Sequence, residues 1–126
     1  MSDEEAIRRT IAQYAHFCDD GRFDEWADLF TADARLSALG ATYVGRDDVK
    51  GWITKYQGPA ELRGKHVCAN TVIDVDGDVA RAWTDYIFVD QAQAIISVGR
   101  YHDQLAREPD RWRFRERRIV FLGDDA

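Results

Sequence analysis

From residue 65 to residue 122 the hydrophobic pattern runs on a period of two, and this constrains the fold more than any other feature of the chain. Four stretches carry it: "KHVCANTVIDV", "DVARAWTDYIFVDQ", "AIISVGRYHDQLAR" and "RWRFRERRIVFL". Their β-branched and aromatic content marks them as long strands. They are joined by "DGD", by "AQ" near Ala92 and by "EPD" around Pro109, and the first and last of these are hairpin signals. Long strands with short connections make an antiparallel meander. Such strands twist and curl, so helices packed on one side of the sheet leave a hollow between the layers.

The first 64 residues supply those helices. Residues 3–18 are amphipathic, with Ile7, Ile11, Tyr14, Ala15 and Cys18 at helical spacing and Arg8, Arg9 and Gln13 elsewhere. Ser2 followed by Glu5 predicts a capping box at the start. A second short helix is predicted from about Phe23 to Leu29, with Phe23, Trp26 and Phe30 on one side. "ARLSALGATYVG" reads as a hairpin turning at Gly40, and "RDDVKGWITKYQ" as a third helix, weakened by Gly51, with Val49, Trp52 and Ile53 facing inward. Helices followed by a meander define an α+β fold: a curved, cone-shaped antiparallel sheet wrapped around about three N-terminal helices and enclosing a pocket. The whole of 1–126 reads as one domain.

Composition narrows the functional classes. The chain is 45% hydrophobic and 32% charged, with four Trp, five Tyr and six Phe, enough for one core. Net charge is −6, and the richest basic run, "RWRFRERR", alternates with apolar residues, so nucleic acid is not an expected partner. No apolar run approaches the ~18 residues needed to span a bilayer, and "MSDEEAIRRT" lacks the layout of a signal peptide. The expectation is a cytoplasmic protein, complete as one domain and without a membrane partner. Cys18 and Cys68 read as small buried hydrophobes rather than a disulfide framework.

The motifs of several reaction classes are absent, among them G-x-S-x-G, H-E-x-x-H and G-x-G-x-x-G. "DVDGDVARAWTD" fails as a calcium loop, because its glycine stands at position 4 and its twelfth residue is Asp85. His16, His66 and His102 share no ligand spacing, so no metal is expected. His16 and His102 read as solvated. His66 opens the first long strand, with Cys68, Asn70 and Val72 on its face and Val67, Ala69, Thr71, Ile73 and Val75 on the other; both faces read as largely covered.

"HFCDDGRFDEW" then poses an electrostatic problem. Asp19 and Asp20 stand in the last turn of the first helix, where the helix dipole disfavours negative charge by roughly 0.3–1 kcal/mol each. Asp20 reads as a cap for the second helix beyond Gly21. Asp19 lies on the margin of the apolar stripe and needs a donor, such as an imidazole or an arginine from the sheet.

Five segments, "IAQYAHFCDDGRFDEWADLFTADA", "GRDDVKGW", "RGKHVCANTVIDVDGDVARAWTDY", "GRYHDQLAR" and "WRFRERRIV", together resemble in order and spacing the SnoaL-like branch of the nuclear transport factor 2-like superfamily, over essentially the full length. The resemblance implies the same curved cone with a deep pocket. Enzymes of that group include dehydratases, a dehydrochlorinase and polyketide cyclases, several of which use a histidine–aspartate pair at the cone mouth. Carried over, the pair falls on His66 and Asp19, a helix tyrosine on Tyr14 and a last-strand arginine on Arg117; a pocket acid of some dehydratases falls near Asp90. The chain departs from scytalone dehydratase by having Cys18 where that enzyme has a tyrosine.

The reading that follows is a cofactor-free lyase or isomerase of elimination type, acting on a small cyclic or aromatic organic molecule. Asp19 would hold one nitrogen of His66 while the other takes a proton from carbon. Tyr14 or Arg117 would meet the developing charge. Trp26, Phe30, Trp52, Tyr86 and Phe88 would wall the pocket. In a regular last strand Trp112 and Phe114 face one way and Arg117 the other, so Arg117 in the pocket requires a bulge. The alternative is a non-catalytic ligand-binding or dimerisation module of the same shape. A homodimer or higher homo-oligomer is expected in either case.

Overall fold

The Ser2 hydroxyl accepts a hydrogen bond from the Glu5 amide at 3.1 Å, and the first helix starts there. The computed structural model describes residues 1–124. Helix α1 spans Asp3–Asp19 and α2 Phe23–Ala27; strands β1 (Phe30–Ala38) and β2 (Ala41–Val44) form a hairpin, and α3 runs over Arg46–Gln57. After a 3-10 turn at Ala60–Leu62 come the four long strands: β3 (Lys65–Asp76), β4 (Val79–Val89), β5 (Ile95–Arg107) and β6 (Trp112–Phe121). Among the described residues no helix is long and apolar enough to cross a membrane.

The six strands form one curved sheet in the order β2-β1-β6-β5-β4-β3. The meander β3–β6 is antiparallel throughout, as the period-two pattern predicts. β1, however, runs parallel to β6, so the sheet is mixed rather than wholly antiparallel. Hairpin signals report only strands adjacent in sequence, whereas a parallel pair needs a long crossover. Here that crossover is everything from β2 to β5. The same pairing shortens α2. Its helix stops at Ala27 instead of Leu29 because the Leu29 carbonyl is drawn toward the sheet, accepting from the Phe114 amide at 2.8 Å.

α1 lies against β3 and β6, and α3 against β1 and β2. Ile7, Ile11, Tyr14 and Cys18 of α1 are buried against Trp26, Leu29, Phe30, Leu36 and Phe114. Each such aliphatic side chain removed from water contributes about 1.5–3 kcal/mol.

Two bulges decide which strand residues face this core. In β6, Phe114 stands opposite Leu105 and Glu116 opposite Gln104, leaving Arg115 extra. Trp112, Phe114 and Arg117 therefore all turn inward, which resolves the parity conflict of a regular strand. In β3 the register shifts between Ala69 and Val72, with Asn70 at φ +56°. Asn is among the few residues that tolerate this region. The inward set changes there from His66 and Cys68 to Thr71 and Ile73. The expected grouping of His66 with Val72 is thus broken: Val72 is 55% exposed and Ile73 8%. The sheet's outer face is not covered either, since Val67, Val75 and Ile87 are also exposed.

Asp20 does not cap α2. It is the C-cap of α1, where its amide donates to the His16 carbonyl at 2.9 Å, and α2 begins at Phe23, which puts Arg22 at the N-cap with no side-chain cap bond. The turn between the helices depends on Gly21, at φ +73°. A Cβ there would overlap Arg63 Nη1. That guanidinium has little freedom to retreat, because Nε and Nη2 donate to the Gln57 and Gly58 carbonyls, each at 3.0 Å. Gly21→Ala is therefore expected to lower the unfolding free energy by about 2 kcal/mol in urea titrations. Gly51→Ala, in mid-helix with open space around the added methyl, should raise it by about 0.5–1 kcal/mol.

Candidate functional site

Asp19 closes α1 and His66 is the second residue of β3, so the site forms where the helical half of the chain meets the meander. Asp19 Oδ1 lies 2.6 Å from His66 Nδ1, and Asp19 Oδ2 accepts from the His66 backbone N–H at 3.0 Å. The two side chains are 6% and 12% exposed. A carboxylate at a helix C-terminus faces both the dipole and desolvation, and two donors from one residue offset them. A carboxylate only accepts, so the proton of the neutral ring sits on Nδ1. Nε2 keeps its lone pair.

The His66 ring borders a cavity of about 260 Å³ between the inner sheet face, α3 and the β1–β2 tip. Tyr14, Trp52, Tyr86, Phe88 and Tyr101 line it with His66. An apolar cavity of roughly 150 Å³ holds benzene, so this one has room for one or two rings. A broader depression of about 590 Å³ lies over Val67, Ile87, Val98 and Arg100 and contains neither Asp19 nor His66.

The wall is aromatic and ordered by ring geometry. His66 lies 4.6 Å from Phe88 between centroids and meets Tyr14 edge-on at 6.4 Å. Tyr86 stacks on Tyr101 at 4.5 Å and 10° between planes, and its hydroxyl pairs with Ser97 Oγ at 2.8 Å. Burial pushes the Tyr14 phenol up, against the pull of Arg117, so it remains a protonated donor. Gln57 also lines the cavity, and its buried Oε1 finds no hydrogen-bond partner among the described residues.

Of the residues expected at the site, His66, Asp19, Tyr14, Trp52, Tyr86 and Phe88 come together, and four others do not. Trp26 and Phe30 are fully buried behind Tyr14, with ring centroids 5.2 and 6.2 Å from it, and belong to the core. Asp90 holds the β4–β5 turn, accepting from the Ala94 amide at 3.0 Å, and lies outside the aromatic cavity in a polar depression that Asp19, Arg63 and Gln91 also line.

Arg117 turns inward through the β6 bulge but stops beneath the cavity, with a side chain that has no exposed surface. A desolvated guanidinium needs a counter-ion, and the cross-strand residue Asp103 provides it in a fork with both N–O distances 2.8 Å. Burial pushes the Asp103 carboxyl up while Arg117 pulls it down. Burial opposes the Arg117 cation, and Asp103 outweighs it, holding that group above its ordinary value. The third nitrogen, Nη1, has no hydrogen-bond partner among the described residues. The guanidinium carbon instead faces the rings of Tyr14, Tyr101 and Phe114 at 4.2, 3.8 and 4.3 Å.

Sequence reasoning missed Tyr101, Ser97, Asp103 and Gln57. A signal existed for the first three: they alternate on β5 opposite Arg100, His102 and Gln104, so they face the core. Gln57, the last residue of α3, gives no such signal.

Cys18, Asp19 and His66 offer three ligand atoms within 4.8 Å of one another. The donor set suits a metal poorly. Asp19 and Nδ1 are committed to each other, and burial together with the Asp19 charge pushes the Cys18 thiol up, away from thiolate.

A curved mixed sheet around three helices, with an aromatic cavity at the end of α1, defines a cone-shaped α+β fold. Residues 1–118 match the SnoaL-like domain, and the chain belongs to that family. The uncharacterized protein Rv2910c of Mycobacterium tuberculosis is 29% identical over 120 residues, covering 90% of this chain and 81% of its own. Among solved structures, an NTF2-like protein with a cystatin-like fold from Novosphingobium aromaticivorans superposes with a TM-score of 0.85 at 25% identity, over 98% of this chain and 84% of the other. A second protein of that organism, provisionally named a scytalone dehydratase, shares the fold with a TM-score of 0.84 at 24% identity, over 94% and 83% of the two chains.

The buried ion pair makes a distinct energetic prediction. Asp103→Ala leaves Arg117 charged and unpaired and should cost about 3–5 kcal/mol in denaturant titrations. Replacing both partners, Asp103→Leu with Arg117→Met, should cost less than the single change, because no uncompensated charge remains.

Proposed function

We propose that this chain is a small-molecule lyase or isomerase of elimination type, with His66 as general base and Asp19 as the residue that fixes its tautomer. The 2.6 Å contact between Asp19 and His66 Nδ1 at the edge of an aromatic cavity carries this reading. With Nδ1 tied to the carboxylate, Nε2 is the basic atom presented to a ligand. It takes a proton from carbon; the C–H electrons form the new double bond, and the leaving group departs with its own pair. The sequence is redox-neutral, so no electron acceptor is required. Asp19 stabilises the imidazolium that forms.

Tyr14, which lines the cavity beside His66 and whose buried phenol stays protonated, would donate to the oxygen on which charge develops. Arg117 is a support beneath Tyr14 in this scheme, not a ligand contact. Trp52, Tyr86 and Phe88 select a flat cyclic or aromatic substrate, and the unpartnered Gln57 Oε1 favours one carrying a hydroxyl. The exposed Val67, Val72 and Ile87 on the outer sheet face support assembly as a homodimer or higher homo-oligomer.

On a hydroxylated or halogenated cyclic compound that the wild type turns over, His66→Ala should lower kcat by about 10²–10⁴. Asp19→Asn should act in the same direction, because an amide can donate to Nδ1 and favour the wrong tautomer. Equal turnover by wild type and His66→Ala would end the dyad mechanism. Tight binding of such compounds without turnover would favour the non-catalytic binding module.

A further inference from the structure

The two-residue turn between β1 and β2 contains a residue that its geometry disfavours. Ala38 pairs with Ala41, and the two residues between them, Leu39 and Gly40, have φ of +53° and +76°. A turn with both central residues at positive φ favours Asn-Gly or Gly-Gly. Glycine occupies the second position. The first holds leucine, whose Cβ is crowded by the carbonyl oxygen in this region, and whose side chain is 73% exposed. Leu39 is thus unfavourable twice, in its backbone and in its contact with water.

Its position supplies the reason. Leu39 borders the cavity that His66 borders, together with Tyr56 and Ile96, themselves 43% and 59% exposed. The tip of the hairpin, the end of α3 and the start of β5 therefore each bring an exposed apolar side chain to one opening. A local rule broken at the edge of a site is where strain is retained for function.

We infer that Leu39 is a specificity-determining lip of the cavity, whose side chain covers the outer edge of a bound aromatic ligand and selects for an apolar edge there. This rests on the cavity taking an aromatic ligand, and not on His66 turning it over. In the ligand-free protein the leucine is a liability; against a bound ring it exchanges water for apolar contact.

The inference makes two readouts move in opposite directions. With 1-naphthol as the probe, Leu39→Asn should weaken binding roughly tenfold by calorimetry, while raising the Tm of the ligand-free protein by about 3 °C, because asparagine suits the turn. Leu39→Met keeps both the strain and the apolar contact, and should change the Kd less than twofold with little change in Tm. Unchanged naphthol affinity in Leu39→Asn would overturn the inference, as would a fall in its Tm. A shift in oligomeric state on sedimentation, with naphthol affinity intact, would assign Leu39 to a contact between copies and also overturn it. Failure of the wild type to bind naphthol would remove this inference and the aromatic-ligand reading together. Loss of turnover in His66→Ala with naphthol binding intact bears on the base alone and leaves the lip standing.

Discussion

The hydrogen bonds that Asp19 accepts from His66 join two halves of the chain that the sequence keeps 47 positions apart. One bond comes from the ring and one from the backbone, so the end of α1 is fastened to the first pair of residues in the long meander. This sets the angle at which the helix enters the cone and the orientation of the imidazole in the same step. A carboxylate in the last turn of a helix would otherwise weaken that helix. Here the placement is offset by His66, which donates to both carboxylate oxygens of Asp19 and is held by them in turn.

Behind this contact the site is supported by a second buried charge. Arg117 and Asp103 are both fully enclosed, and their pairing is satisfied through two parallel bonds and three aromatic faces rather than through solvent. Tyr14 lies between the two charged systems, with its ring against the Arg117 guanidinium and edge-on to His66. The ion pair therefore meets the cavity wall at Tyr14 and at Tyr101, which also lines the cavity and lies 3.8 Å from the guanidinium. An arginine without direct access to the cavity can still set the electrostatics of its wall, because the interior screens charge far less than water does.

How much of this was legible in the chain differs between local and non-local features. The third helix and the meander follow from periodicity and turn residues, which act within a few positions, and α3 at Arg46–Gln57 coincides with its amphipathic pattern. The juxtaposition of Asp19 and His66 is legible from the need of a carboxylate at a helix C-terminus for a donor, together with the family resemblance. The parallel β1–β6 pair was not legible, because no local signal records a partner some eighty residues away. Trp26 and Phe30 fill the core instead of lining the cavity, a difference invisible in the chain because an aromatic stripe looks the same in either role. Arg117 was half legible: strand parity demanded a bulge if it faced inward, but only the position of Asp103 shows that it is consumed by an ion pair.

The bulges connect these observations. In a strictly regular β6 the inward face that carries Trp112 and Phe114 would exclude Arg117, and Asp103 would be buried without a cation. In a strictly regular β3, with His66 and Cys68 facing inward, Val72 would point inward and Ile73 outward, and the lower part of the cone would lose Ile73 from its packing. Each irregularity lets one strand present polar chemistry at one end and apolar packing at the other. The sheet thus serves both as wall of the cavity and as core of the domain, and the point where each strand changes parity marks the boundary between those roles.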